Sequence, residues 1–299
     1  MAENTGGRPG PGLSFGAVAD AYELGRPSYP AEAAAWLVGS GRARVLELGA
    51  GTGKLTEQVA ALGHHVLATD PLEPMLRHLV RRLPGVPVVR AAAEHIPLRG
   101  RSVDAVVGAQ AFHWFDLERA LPEIDRVLRP GGHLGLVWNL RDDRIPWVRR
   151  LGALIGTPEQ RSDPTHALLS SHLFGYVDTA TFRFWQPLDR PRLRALVASR
   201  SHVATLPDAE RDRLLASVDE LYDSYGRGPD GMLMPYVTHC YRAVVRPPAA
   251  AAEPAPDRAG RRSGAVDGPG DPDWRGDPDD PDDPDDMGGD SGTVLIDFP

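Results

Sequence analysis

At 299 residues, with 41% apolar and 25% charged side chains, the chain can bury one core of roughly 230 residues and still carry an uncovered excess. Its net charge of −8 is local: residues 267–299 hold twelve aspartates against one arginine, which leaves about +3 elsewhere, so no broad basic field for nucleic acid follows, although thirty-two arginines and one lysine leave room for local clusters. A single cysteine, Cys240, excludes an intrachain disulfide, and neither the first fourteen residues nor any later run has the apolar length of a leader or a membrane span, so a cytoplasmic protein unattached to membrane is expected.

In chain order, residues 1–14 are rich in Gly and Pro and read as a disordered start. An amphipathic stretch begins near Phe15, and Pro30 opens a helix through Ala33, Trp36, Leu37 and Val38, so residues 15–43 form a helical cover ahead of the sheet. Apolar strands then alternate with helices, at about 44–48, 65–70, 86–91, 103–109 and 132–138. That alternation predicts a parallel sheet with right-handed crossovers. Leu55, Val59 and Leu62 lie on one face of the first crossover helix, which Gly63 ends. Met75, Leu76, Leu79 and Leu83 repeat at helical spacing in the second, so its stripe should face the sheet. Asp116 reads as the cap of the helix before strand five, and Pro122 predicts that this helix begins late or kinks.

Beyond Trp138 the sequence bends through NLRDD into a helix at about 147–155. Residues 180–188 alternate Phe182, Phe184 and Gln186 with Arg183 and Trp185, the period of a sixth strand, and 234–245 read as a seventh. Two helices between them, at about 190–199 and 207–225, form an insertion. From Pro247 onward PPAAAAEPAP and DPDDPDDPDD offer nothing to build a core, so 247–299 is expected to be disordered. The organisation expected is a domain over 15–246, with a cofactor-binding core at 44–140 and an acceptor-side half at 141–246.

The run VLELGAGTGKL, from Val45 to Leu55, concentrates the chemistry. Gly49, Gly51 and Gly53 let the backbone bend tightly and approach a ligand, and a second strand ends on Asp70, whose carboxylate suits the two hydroxyls of a ribose. The dinucleotide fingerprint is not met, because its sixth position is Lys54 and the third glycine comes one residue early. Glu47 beside the turn would repel a pyrophosphate and suits a cationic adenosine cofactor.

On these residues the chain resembles the class I S-adenosylmethionine-dependent methyltransferases. AAAEHIPL, SVDAVVGAQAFHWFD and RVLRPGGHLGLVWN look like the later motifs of that family, in order. YELGRPSYP and AFHWFD narrow the resemblance to type 11 methyltransferase domains and the group containing trans-aconitate methyltransferase. The resemblance implies an α/β, Rossmann-like sheet of seven strands, mostly parallel, with helices on both faces, the last strand antiparallel and a helical insertion between strands six and seven. It implies that S-adenosyl-L-methionine is held by Glu47, Gly49, Ala50, Gly51, Gly53, Asp70, Pro71, Ala93, Glu94 and Gln110. Ala92 stands where many relatives carry an acid for the adenine amine, leaving that contact to Glu94, backbone or water.

The resemblance also implies that the loop after strand four lies beside the methionine end of the cofactor, which makes His113 the candidate to orient or deprotonate a nucleophile, with Trp114 and, from the upstream segment that folds over the site in similar enzymes, Tyr22, Arg26 and Tyr29 around the acceptor. A carboxylate acceptor would need no base. No carboxylate follows strand four to join Asp142 and Asp143, so no metal is expected. QAFHW replaces the Asn/Asp-Pro-Pro-aromatic loop of base-amine enzymes, and Cys240 lies far from that loop, which disfavours nucleobase acceptors. The reading is a small-molecule methyltransferase acting on oxygen or carboxylate, with a non-catalytic cofactor-binding protein or a nicotinamide oxidoreductase as alternatives.

Overall fold

Strands β1 (Arg44–Leu48), β2 (His65–Thr69) and β4 (Val103–Ala109) are almost wholly buried, the mark of parallel strands covered on both faces. In this computed structural model, which describes residues 19–156, 163–226, 231–246 and 295–299, they belong to a seven-stranded sheet of order β3-β2-β1-β4-β5-β7-β6. β3 is Val88–Val89, β5 Leu128–Arg141, β6 Phe174–Leu188 and β7 Met232–Val245. The first five strands pair in parallel, whereas β7 runs antiparallel to both β5 and β6. Seven strands and an antiparallel last one agree with the expected architecture.

The two-residue period divides the core. Val45, Val66, Ala105, Val107 and Val137 meet α2 (Ala31–Val38) and α3 (Lys54–Ala61) on one face. Leu46, Leu48, Leu67, Val106, Leu134, Leu136 and Trp138 meet α5 (Leu117–Val127) on the other. A separate core forms where α6 (Pro146–Ile155), α8 (Arg190–Ala198), α9 (Ser201–Ala204) and α10 (Asp208–Tyr225) pack on the first half of β7. α7 (Thr165–Ser170) packs Leu168 beneath β6. The remaining helices are α1 (Ala19–Gly25) and α4 (Glu73–Arg82).

Three expectations change. β3 is two residues long instead of six, because only Val88 and Val89 pair with β2. Pro122 does not delay α5, which begins at Leu117 directly after Asp116: it lies inside an 11-residue helix, leaving the Glu118 carbonyl without its usual amide partner. Asp116 occupies the N-cap position, but its side chain caps nothing; its backbone N–H donates to Glu94 Oε1 at 2.8 Å instead. The expected disordered segments 1–14 and 247–294 lie outside the described residues, whereas Leu295–Pro299 pairs with Leu98. Contacts divide the chain into one unit of Met1–Arg246 with Leu295–Pro299 and a second, Pro247–Val294. Among the described residues, no helix is long and apolar enough to cross a membrane.

Candidate functional site

Register places the chemistry at one level. Leu48 pairs with Thr69 and Gly108, so β1, β2 and β4 finish side by side, and the glycine turn, Asp70 and Gln110 follow at their carboxyl ends. This is where strand order reverses about β1, the position at which open α/β sheets bind ligands. Tyr22, Tyr29, Glu47, Gly49, Ala50, Thr52, Lys54, Leu55 and Ala109 line a narrow cleft there. A wider, open depression lies at the other strand ends, lined by Ala35, 39–42 and 62–64, and brings no comparable buried carboxylate together.

The three glycines bend for different reasons. Gly49, Gly51 and Gly53 all hold left-handed φ, at 68°, 57° and 87°. A Cβ on Gly49 would stand 2.6 Å from that of Ala111, and one on Gly53 would press Leu79 of α4 at 2.9 Å. One on Gly51 would meet nothing within 4 Å, so open space remains beside that backbone. Gly51 N–H donates to Asp70 Oδ2 at 2.9 Å and Leu72 N–H to Oδ1 at 2.8 Å. Asp70 therefore spans the turn and the start of α4, which sequence did not anticipate. Burial pushes its carboxyl up, against the pull of these two amides.

Glu47 is fully buried and faces α3, where Thr56 Oγ1 donates to its Oε2 at 2.6 Å. Its Oε1 and the neighbouring Thr52 Oγ1 are buried without a hydrogen-bond partner among the described residues. Burial, opposed by the Thr56 bond and reinforced by Asp70, pushes the Glu47 carboxyl up to about 8. At neutral pH it is thus mostly protonated, and an incoming cation would ionise it. An orphaned carboxylate oxygen and unfilled space at Gly51 fit the ammonium and ribose ends of a cationic adenosine cofactor.

α1 closes over this turn. Lys54 Nζ donates to Glu23 O at 2.9 Å, and Arg82 pairs with Glu23 at 2.8 Å and with Glu57. Buried Tyr29 is hydrogen-bonded by the side chain of Gln110, a non-glycine residue held at φ 52°. Asn139 ties Ser28 O to β7 through Thr238. Burial raises both tyrosines. Arg26 lies over the Tyr22 ring at 5.5 Å, and its Nε donates to Ser199 Oγ at 3.0 Å, linking α1 to the end of α8.

Of the other residues singled out, Ala93 is buried, Glu94 joins its loop to Asp116, and Pro71 O accepts from Arg90 Nε at 3.1 Å. His113 and Trp114 sit on a one-turn 3-10 helix, Phe112–Trp114, both exposed, with ring centroids 4.8 Å apart. Surrounding protein nevertheless lowers the His113 imidazole. Neither lines the cleft around Glu47. Thr52, Lys54, Thr56 and Asn139 were missed by the sequence reading. Thr56 alone carried a signal: two residues after Lys54 it shares the inward face of α3 with Leu55 and Val59.

The methyltransferase-domain family model matches residues 46–136, the glycine turn through β5. An uncharacterized methyltransferase of Mycobacterium bovis is 46% identical over 236 residues, covering 78% of this chain and 96% of that protein. The malonyl-[acyl-carrier protein] O-methyltransferase of Methylococcus capsulatus is 40% identical over 135 residues, 41% of this chain and 49% of that one. A solved structure from Anaeromyxobacter dehalogenans, provisionally named a type II methyltransferase, superposes with a TM-score of 0.52 at 25% identity, covering 74% and 97%. The chain belongs to the class I S-adenosylmethionine-dependent methyltransferases. Its methyl donor is S-adenosylmethionine, and the nicotinamide alternative falls with that assignment.

Proposed function

We propose that this enzyme methylates an oxygen, in the first instance a carboxylate, of a small-molecule acceptor in the cytoplasm. The observation that carries the donor half is the buried, unpartnered Glu47 Oε1 in the cleft at the end of β1. In this reading Glu47 takes the donor's amine, Asp70 its ribose, and Gly49, Ala50, Gly51 and Gly53 shape the backbone against it. Pro71, Ala93 and Glu94 border the adenine, and Gln110, fixed by Tyr29, borders the methionine end.

When bound, S-adenosylmethionine supplies a methyl group already activated on a sulfonium, so the chain's contribution is alignment and exclusion of water. α1 supplies the cover, held down by Lys54 and Arg82 through Glu23. Arg26, whose Nε holds Ser199, keeps its outer guanidinium nitrogens for an acceptor carboxylate. Tyr22 and Tyr29 wall the cleft, and Trp114, which lies outside it, borders the acceptor beyond. His113 is neutral at pH 7 because desolvation lowers it, and it would serve as base for a hydroxyl acceptor only. The name of the Methylococcus relative, an O-methyltransferase, supports oxygen as the target.

The test incubates the enzyme and donor with a small-molecule extract and with carboxylic acids, following S-adenosylhomocysteine. Turnover with a carboxylic acid and a His113→Ala kcat within about twofold of wild type are expected. A roughly 100-fold loss of kcat at unchanged donor KM would replace carboxylate by hydroxyl. No turnover with any oxygen acceptor would refute the proposal.

A further inference from the structure

We propose that the ledge formed by residues 97–99 and the first residue of β1 is a docking groove for this chain's own distal segment, Leu295–Pro299. That segment alternates exposed and half-buried residues in strand fashion: Ile296 and Phe298 turn inward onto the core beneath β4 and β5, while Leu295, Asp297 and Pro299 face outward. Ile296 forms a parallel bridge with Leu98, and its N–H donates to Pro97 O at 2.9 Å. Arg99 Nε meets Asp297 at 2.8 Å, and the Arg44 guanidinium lies 6.0 Å from the Phe298 ring centroid.

The ledge is built independently of its occupant. Arg126 of α5 donates to Ile96 O and Leu98 O at 2.8 and 2.7 Å, and Glu123 accepts from Ile96 N–H, so this stretch is fixed from the helix side. Its other edge is left for pairing, and Ile296 uses it as an added strand would. Topology makes the connection short. Because β7 is antiparallel, its last residues pair beside His133, at the end of the sheet where β1 begins with Arg44. The chain thus leaves the domain at the rim on which its distal segment sits, and the 48-residue stretch Pro247–Val294 joins the two points. Both partners being on one chain, tethering raises their effective concentration and a modest intrinsic affinity suffices.

The experiment uses full-length protein and a fluorescein-labelled peptide of sequence TVLIDFP, residues 293–299. A full-length Ile296→Asp, Phe298→Ala double variant, whose own segment no longer fits, should bind the peptide saturably in fluorescence anisotropy. The wild-type chain should bind it at least tenfold more weakly, and a peptide carrying the same two substitutions should not bind. Hydrogen exchange supplies a second reading: the backbone amide at position 296 should exchange at least tenfold more slowly in wild type than in the double variant. Equal peptide affinity for both proteins, unsaturable binding, or an unprotected Ile296 amide in wild type would overturn the proposal. A wild-type dimer at concentrations where the double variant is monomeric would replace docking within one chain by exchange between copies.

Discussion

At Glu47 two demands conflict, since a carboxylate that receives a cation must be ionised and a fully buried carboxylate resists ionisation. Thr56 satisfies one oxygen and the other is left in the cleft, so the penalty persists until a cation arrives. Its folded pKa, about 8, lies above its unfolded value, so its contribution to stability is greatest in acid and is lost as pH rises towards about 8. Glu47→Gln carries no such loss, and the melting-temperature gap between the variant and donor-free wild type should widen in the variant's favour from pH 5 to pH 8. A gap independent of pH would show that Glu47 is already ionised. Asp70→Ala removes an acceptor of two backbone amides as well as the proposed ribose contact. At about 1.5–3 kcal/mol for each bond to a charged group, donor affinity in calorimetry should fall tenfold or more. Unchanged affinity would remove Asp70 from the site. Both carboxylates were legible in sequence because each ends an apolar strand. Of the partners that set their charge, Thr56 left only its place on the inward face of α3, and the Leu72 amide left no signal, because both contacts depend on how α3 and α4 turn against the sheet.

Among the elements, the glycine turn separates steric from conformational need. Ala at Gly49 would collide with Ala111 and hold an unfavourable left-handed φ, about 1–3 kcal/mol for overpacking added to about 1–2 for the backbone. Ala at Gly51 incurs the backbone cost alone, since its Cβ meets open space. Thermal denaturation should therefore show a larger fall for Gly49→Ala than for Gly51→Ala, and equal falls would contradict the contact. Sequence identified the turn from its spacing, but all three glycines looked alike there. The period-2 alternation in 180–188 was equally legible, with Phe182, Phe184 and Gln186 half-buried and Arg183, Trp185 exposed. Pro122 misled about where α5 begins, because a helix packed through Ala120, Leu121, Ile124 and Val127 tolerates one lost backbone bond. The extent of β3 misled too: a strand this close to the sheet edge is set by pairing, not by its apolar run.

Across the whole molecule, strand order and direction followed from the alternation of elements and the family resemblance, and they bring Glu47, Asp70 and Gln110 to one rim. What sequence could not supply is the long-range closure: Glu23 held by Lys54 and Arg82, Arg26 by Ser199, and Ile296 by Pro97, pairs separated by 31 to 199 residues. The fold thereby encloses the Glu47 carboxyl, which burial pushes up to about 8 and which the proposed donor contact would ionise. Calorimetric titration of S-adenosylmethionine at pH 7, repeated in buffers of different ionisation enthalpy, tests this most directly. Ionising a Glu47 carboxyl that burial pushes up to about 8 should release a large part of a proton per donor bound, and Glu47→Gln should abolish that release. Wild-type binding with no net proton release would contradict the account.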